Sequence, residues 1–317
     1  MTTPLRHSAF RAESPSCAKL PRVSIRIGTR GSALALAQSG LIVDALAELG
    51  AEAELVSITT SGDKGAVQED KSRFVKEIEE ALLGGEVDLA VHSAKDVPGE
   101  LPEGLAIVGV PERADPSDAL CGAPSLQQLV EGARIGTSSL RRRAQLLASR
   151  PDLDVVDLRG NVDTRLRKLA DGGYDAIVLA AAGLARLDRA SEGNPIDLTP
   201  AAGQGCLALE ARTGDEEIAE LAANLTHPDS LVCLTAERAL VTALDATCRT
   251  PVAAYARLTN GALTIDAFVG LPDGSAWIRD ELEGDPEDPA ALGLQIARRL
   301  IDAGAEDVLA QAEGAAP

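Results

Sequence analysis

Short β-branched runs alternate with helical runs along most of this chain, and that alternation restricts the fold more than any other feature of the sequence. Strands alternating with helices bury both faces of a sheet and give α/β layers. The first unit opens with a strand over 23–27 that ends at Gly28-Thr29-Arg30-Gly31-Ser32. A helix over 33–49 follows, with Ser32 placed as its N-cap. Next come a strand over 55–59, a polar loop over 60–71 and an amphipathic helix over 72–83. Phe74, Val75, Ile78, Ala81 and Leu82 share one face of that helix. A buried strand over 87–91 then runs into His92-Ser93-Ala94-Lys95-Asp96. Open α/β sheets place ligands at the C-terminal ends of their strands, so these strand-ending segments are candidate site residues.

A second unit repeats the logic with arginine. A strand over 134–136 leads into Thr137-Ser138-Ser139 and a helix with Arg141, Arg142 and Arg143. A strand over 155–158 leads into Arg159-Gly160-Asn161 and a helix with Arg165, and a strand over 176–179 leads into 180–187, which carries Arg186. Hydroxyls and free N–H groups at such helix starts add to anion binding. Between Arg134 and Lys168 there are eight Arg and one Lys against four Asp, whereas the whole chain has a net charge of −19. That contrast points to a small polyanionic ligand and away from nucleic acid or an anionic membrane. A solvated helix face is the alternative reading of the same arginines. Aromatics at 2% leave few stacking platforms for single-stranded nucleic acid.

A third unit begins near His227-Pro228. It has a helix over 230–244, a loop with Cys248, strands over 252–256, 263–269 and 275–278, and a helix from 289. Asp273-Gly274 supplies a hairpin turn. The expected architecture is α/β, with two α/β domains flanking a cleft and a smaller C-terminal α+β domain. The boundaries are residues 22–113 with 203–224, residues 114–202, and residues 225–317. Residues 1–21 lack the continuous apolar stretch of a secretory signal and are expected to be a disordered tail. Five cysteines form no CxxC, and three histidines make a zinc site improbable, so no metal is expected. Scattered, odd-numbered cysteines fit a reducing, cytoplasmic compartment. With no apolar membrane span and no exposed apolar stripe, a monomer is the default expectation.

Six segments, taken together, carry a resemblance. They are Arg26-Ile27-Gly28-Thr29-Arg30-Gly31-Ser32, Val91-His92-Ser93-Ala94-Lys95-Asp96-Val97-Pro98 and Gly136-Thr137-Ser138-Ser139-Leu140-Arg141-Arg142. Further along come Leu158-Arg159-Gly160-Asn161-Val162-Asp163-Thr164-Arg165, Gly203-Gln204-Gly205 and Cys248-Arg249-Thr250-Pro251-Val252. In this order and spacing the chain resembles the porphobilinogen deaminase family from about Val23 to its C-terminal helix. The resemblance implies two domains shaped like periplasmic binding proteins. It also implies a third domain carrying a dipyrromethane, thioether-linked to Cys248 and assembled from the enzyme's own substrate. The implied partners are porphobilinogen and the growing linear pyrrole chain, with hydroxymethylbilane released and no metal or nucleotide used.

The resemblance assigns Asp96 as the catalytic carboxylate. A fixed carboxylate facing the pyrrole N–H groups can keep the leaving amine protonated, stabilise the cation left behind and later accept a proton. Without the resemblance, Asp96 equally fits a strand-ending turn. Arg30, Arg141, Arg142, Arg159, Arg165 and Arg186 are the expected carboxylate anchors, because a guanidinium forks a carboxylate and stays charged. Ser32, Ser138 and Ser139 would assist, as would Lys95 and Lys71. Cys248 with Arg249 beside it favours a thiolate, although a lone cysteine also fits an inert buried site. Gln204, between two glycines, is read as a hinge at the return crossing between domains.

Two places depart from the family's pattern. The loop before Phe74 is shortened to Gln68-Glu69-Asp70-Lys71-Ser72-Arg73, and Ala246-Thr247 replaces a glycine-containing pair before the cysteine. A positive φ at Thr247 would be strained. Two other readings fit parts of the pattern: a two-lobed binder of anionic solutes, and a phosphoribosyl-transferring enzyme. Neither calls for a covalent pyrrole on Cys248.

Overall fold

The computed structural model describes residues 24–60, 75–247 and 250–314. Lys71, Phe74, Cys248, Arg249 and the N-terminal 1–21 segment therefore lie outside the described residues. Two five-stranded sheets and one three-stranded sheet organise the rest.

The first sheet starts with β1 (Ile25–Arg30), whose Ile25 and Ile27 point into the core. Helix α1 (Ala33–Glu48) begins where expected, with Ser32 Oγ accepting from Ala35 N at 3.3 Å. Strand β2 (Ala53–Ile58) pairs parallel to β1 on one side. Helix α2 (Lys76–Leu83) buries Ile78, Ala81 and Leu82 against the opposite sheet face, as its periodicity predicts. Strand β3 (Leu89–Ser93) pairs parallel to β1 on its other side, and β4 (Leu105–Gly109) lies at the edge. The chain then crosses to the second sheet. There β5 (Asp118–Cys121), β6 (Arg134–Gly136), α3 (Leu140–Ser149), β7 (Asp154–Val156), α4 (Val162–Ala170), β8 (Ala176–Ala180), α5 (Ala181–Ala185) and β9 (Asn194–Ile196) follow in turn. A return crossing brings β10 (Leu207–Arg212) and α6 (Glu216–Asn224) back to the first sheet.

The two large sheets share one topology. The first runs β2-β1-β3-β10-β4 and the second β7-β6-β8-β5-β9. In each, a parallel triplet is followed by an antiparallel strand that has just arrived from the other domain: β10 against β3, and β5 against β8. Both crossings therefore enter beside a central strand, and the loops that end β1, β3, β6, β7 and β8 lie at the C-terminal strand edges, where open α/β sheets place ligands.

The third domain packs α7 (Pro228–Ala243) and α8 (Pro289–Asp302) on the sheet of β11 (Val252–Thr259), β12 (Ala262–Gly270) and β13 (Trp277–Gly284), with α9 (Ala305–Gly314) closing the chain. The two-lobed α/β architecture with a smaller α+β domain is the one expected. The hairpin at Asp273-Gly274 forms, with Gly274 at φ +74° and its N–H donating to Leu271 O at 2.9 Å. Strand β13 is twice as long as the 275–278 reading and starts two residues later. Its charged residues pair across the sheet instead of ending it, as Arg279 does with Asp266 at 2.6 Å.

Beneath the end of β3, three titratable side chains meet out of water. His92 Nε2 lies 3.0 Å from Glu210 Oε2, both residues being buried, and Glu79 of α2 is buried beside them. Burial, then repulsion from Glu210, pushes the Glu79 carboxyl up to about 7 against an opposing pull from His92. The folded protein thus holds a proton that the unfolded chain releases near its ordinary value of 4.5. Stability associated with this group is complete below that value and is lost as pH rises through about 7. Glu79→Gln is expected to match the parent near pH 5 and to exceed it at pH 8 by on the order of 1–3 kcal/mol. Urea melts at the two pH values check this.

Candidate functional site

Residues from both lobes converge on the space between the strand ends. On the first lobe, Arg30 closes β1 and Ser32 caps α1. Asp96 ends a single 3₁₀ turn, Ala94–Asp96, that follows β3 directly and is half-buried. Its neighbour Lys95 donates from Nζ to Gln204 Oε1 at 3.1 Å.

On the second lobe, Asn161 caps α4 and accepts from Thr164 N at 2.9 Å, which orients the helix that carries Arg165. Arg165 donates from Nε to Gly160 O at 2.7 Å and stands within electrostatic reach of Asp96 across the cleft. Burial, then repulsion from Arg142, lowers the Arg165 pKa to about 10, while Asp96 opposes the drop. Arg159 is exposed, with Nη2 3.5 Å from Asp157 Oδ2. Ser139 caps α3 by accepting from Arg142 N at 3.4 Å and keeps its own proton to donate.

Two of the expected anchors, Arg141 and Arg142, and the assisting Ser138 are engaged inside the second lobe. Arg141 and Arg142 turn inward, being 4% and 6% exposed. Arg141 Nη2 lies 2.8 Å from Asp118 Oδ2, and Arg142 reaches Asp118 Oδ1 from Nη2 at 2.7 Å and Val178 O from Nη1 at 2.9 Å. The Ser138 hydroxyl donates to Leu158 O at 2.6 Å. Burial pushes the Asp118 carboxyl up, but Arg141, Arg142 and the Gln204 amide outweigh it and hold it well below the usual carboxylate range. Asp118 escaped the sequence reading; its signal is a lone acid opening the apolar run Ala119-Leu120-Cys121.

Arg186 also has a different setting. Its Nη2 donates to Gly205 O at 2.7 Å, and it lines a cavity of about 580 Å³ with Leu41, Arg113 and Leu207. None of the other expected anchors lines that cavity.

The loop before Cys248 carries its left-handed residue at Asp245, φ +49°, which among the described residues there replaces the strain anticipated at Thr247. Thr247 and Thr250, on either side of Cys248 and Arg249, bond to each other, with Thr247 N donating to Thr250 Oγ1 at 2.8 Å. Among the described residues the cysteines are Cys121, Cys206 and Cys233, all buried, and burial raises their thiols to about 11, 12 and 11. Among the described residues no group of His, Cys, Asp and Glu is arranged to hold a metal.

A half-buried carboxylate facing a desolvated guanidinium, with further cations and helix N-caps around it, suits a ligand bearing several carboxylates. Residues 25–220 match the family model "Porphobilinogen deaminase, dipyromethane cofactor binding domain" and residues 231–302 match "Porphobilinogen deaminase, C-terminal domain". A porphobilinogen deaminase from Thermus thermophilus is 51% identical over 294 residues, covering 90% of this chain and 98% of that protein. One from Roseiflexus castenholzii is 49% identical over 303 residues, covering 91% and 99%. Among solved structures, a periplasmic substrate-binding protein from Coxiella burnetii aligns over 65% of this chain and 94% of its own, with 17% identity and a TM-score of 0.42.

The inward arginines yield a direct test. Asp118→Asn keeps the shape but leaves two buried guanidiniums without their counter-charge, and is expected to cost about 3–5 kcal/mol of stability in urea melts at neutral pH. The gap between variant and parent should narrow as the medium is made strongly acidic, since a depressed carboxylate pKa means stability lost as pH falls through it.

Proposed function

Since the chain belongs to the porphobilinogen deaminase family, we propose that Asp96 is its catalytic carboxylate, that Cys248 carries its dipyrromethane, and that the cleft cations hold the pyrrole carboxylates. The enzyme is a hydroxymethylbilane synthase, a transferase that condenses four porphobilinogen molecules head to tail with loss of ammonia. The observation that carries the residue assignment is the approach of Asp96 to Arg165 across the cleft, which sets a proton-handling group beside an anion anchor.

The donor set fits the cofactor: Arg30, Arg159 and Arg165, with the capping hydroxyls of Ser32 and Ser139, suit a group carrying several carboxylates. When bound, the dipyrromethane supplies the pyrrole carbon to which substrate units are added. Asp96 keeps the substrate's amine protonated until ammonia leaves, stabilises the cation left on the substrate, and takes the proton from the joined carbon. Arg165 holds a substrate carboxylate near that carboxylate, and Lys95, anchored on Gln204, steadies the turn from which Asp96 projects. Arg141 and Arg142 act through Asp118, by fixing the wall against which Arg165 stands. Arg186 and Gln204 belong to the joint between the lobes, and Lys71 is assigned to the carboxylate-binding set from the family pattern alone.

Domain boundaries at 113/114, 202/203 and 224/225 follow the two crossings and the start of the third domain. No described helix is long and apolar enough to cross a membrane. A cytoplasmic monomer acting on porphobilinogen and the growing pyrrole chain completes the reading.

Intact mass under denaturing conditions tests it. The wild-type chain is expected to carry an excess equal to two linked pyrrole units, absent from Cys248→Ser. A bare wild-type chain, even after incubation with porphobilinogen, would sink the attachment. Asp96→Asn should lower kcat by about 10²–10⁴-fold while leaving the fold intact; wild-type turnover in that variant would remove Asp96 from the mechanism.

A further inference from the structure

The turn that presents Asp96 is held from outside its own domain. Helix α7 lies under it, and Arg238 donates from Nη2 to Pro98 O at 2.8 Å and Gly99 O at 2.9 Å, and from Nη1 to Val97 O at 3.5 Å. These are three consecutive carbonyls that begin one residue after Asp96. The turn itself is a single 3₁₀ element closed by one backbone bond, Val97 N to Ala94 O at 3.2 Å. Its orientation therefore depends on what fixes the residues on either side. Lys95 is fixed upstream through Gln204. Downstream the fixing group is Arg238.

Two further observations press the same segment onto α7. A Cβ at Gly99 would lie 2.9 Å from Thr242 Oγ1, so the loop passes the helix at glycine distance. Leu234, one turn before Arg238, packs with Ala94 and Val97 at the base of the turn. Arg238 is half-buried, its pKa lowered by burial and supported only by the field of Glu210. A cation is a costly way to hold three neutral carbonyls. Its rigid fork is the feature that an apolar side chain or a lysine cannot supply.

We propose that Arg238 is a positioning residue for the reaction, aiming the Asp96 carboxylate by gripping the carbonyls of Val97, Pro98 and Gly99. The role rests on the assignment of Asp96 above. It also gives α7 a second purpose: the helix ends at Ala243, five positions before Cys248, so one rigid element sets both the catalytic turn and the start of the cofactor loop. Displacement of a reacting group by about 1 Å can cost on the order of 10²-fold in rate.

The test uses the full-length, cofactor-loaded enzyme. Arg238→Ala and Arg238→Lys are expected to lower kcat by about 10–100-fold with KM within about twofold of wild type and the mass adduct retained. Lysine should recover little, and added guanidinium should partly restore the alanine variant. A lowered melting temperature with unchanged kcat would overturn the proposal, as would a fall in activity explained wholly by loss of the adduct. If Arg238→Ala does not fold, Gly99→Ala pushes the same loop off α7 without removing charge. Its kcat should fall and should recover when Thr242→Ala opens the space; no fall would equally overturn it. Wild-type turnover in Asp96→Asn, by contrast, would mark failure of the underlying assignment.

Discussion

A single buried carboxylate, that of Glu237, joins the three parts of this chain. It accepts from Arg113 Nη1 at 2.6 Å, Gly203 N at 2.6 Å and Ala256 N at 2.8 Å. Arg113 lies on the crossing from the first lobe to the second, Gly203 on the return crossing, and Ala256 in the sheet of the third domain. Burial opposes the charge on Arg113, and the Glu237 carboxylate outweighs it, holding the guanidinium pKa above its usual value. Removing either partner would leave the other charged and out of water, a loss of about 3–5 kcal/mol. The lobes are therefore linked by a joint that fails as a unit.

The glycines beside Gln204 exist because of that joint. Gly203 and Gly205 sit at φ +72° and +91°, a region that favours glycine. A Cβ at Gly203 would come within 3.0 Å of Lys95 N, and one at Gly205 would strike the carbonyl of Ala114. The turn that ends at Asp96 and both crossings thus meet backbone to backbone around Gln204, which is 1% exposed. The Gln204 amide donates to Asp118 Oδ1 at 2.9 Å and to Pro116 O at 2.7 Å while its oxygen takes the Lys95 ammonium. A polar network of this kind fixes one register between lobes, because a shifted register would leave its buried members unsatisfied.

What the sequence made legible follows from signal length. Helix α1 was placed to within one residue because a serine cap opens a sixteen-residue helix. Strand β9 has three residues, one of them Pro195, and β5 has four that begin with an acid, so neither carries a usable period. Strand β13 was cut short because its charges look like loop until their cross-strand partners are seen. At the candidate site, motif order placed Asp96, Ser32, Ser139 and Arg165 at strand ends and helix starts, where the structure has them. It did not separate arginines that face the cleft from those that face Asp118, since Arg141 and Arg142 differ from Arg165 only in what packs behind them. Arg238 was missed for the same reason, although a Glu-Arg pair within the apolar run of α7 was the available signal.

The inward arginines still shape the chemistry of the cleft. Arg142 is neutralised by Asp118 along one edge, yet its remaining field reaches Arg165 and, with burial, brings that guanidinium down to about 10. A cation so depressed is still protonated at neutral pH but lacks enough negative charge nearby. Asp96 supplies part of it, and an arriving carboxylate supplies more. An anion placed beside Arg165 would relieve a repulsion already present in the fold, so this part of the surface favours anions although the chain as a whole carries −19.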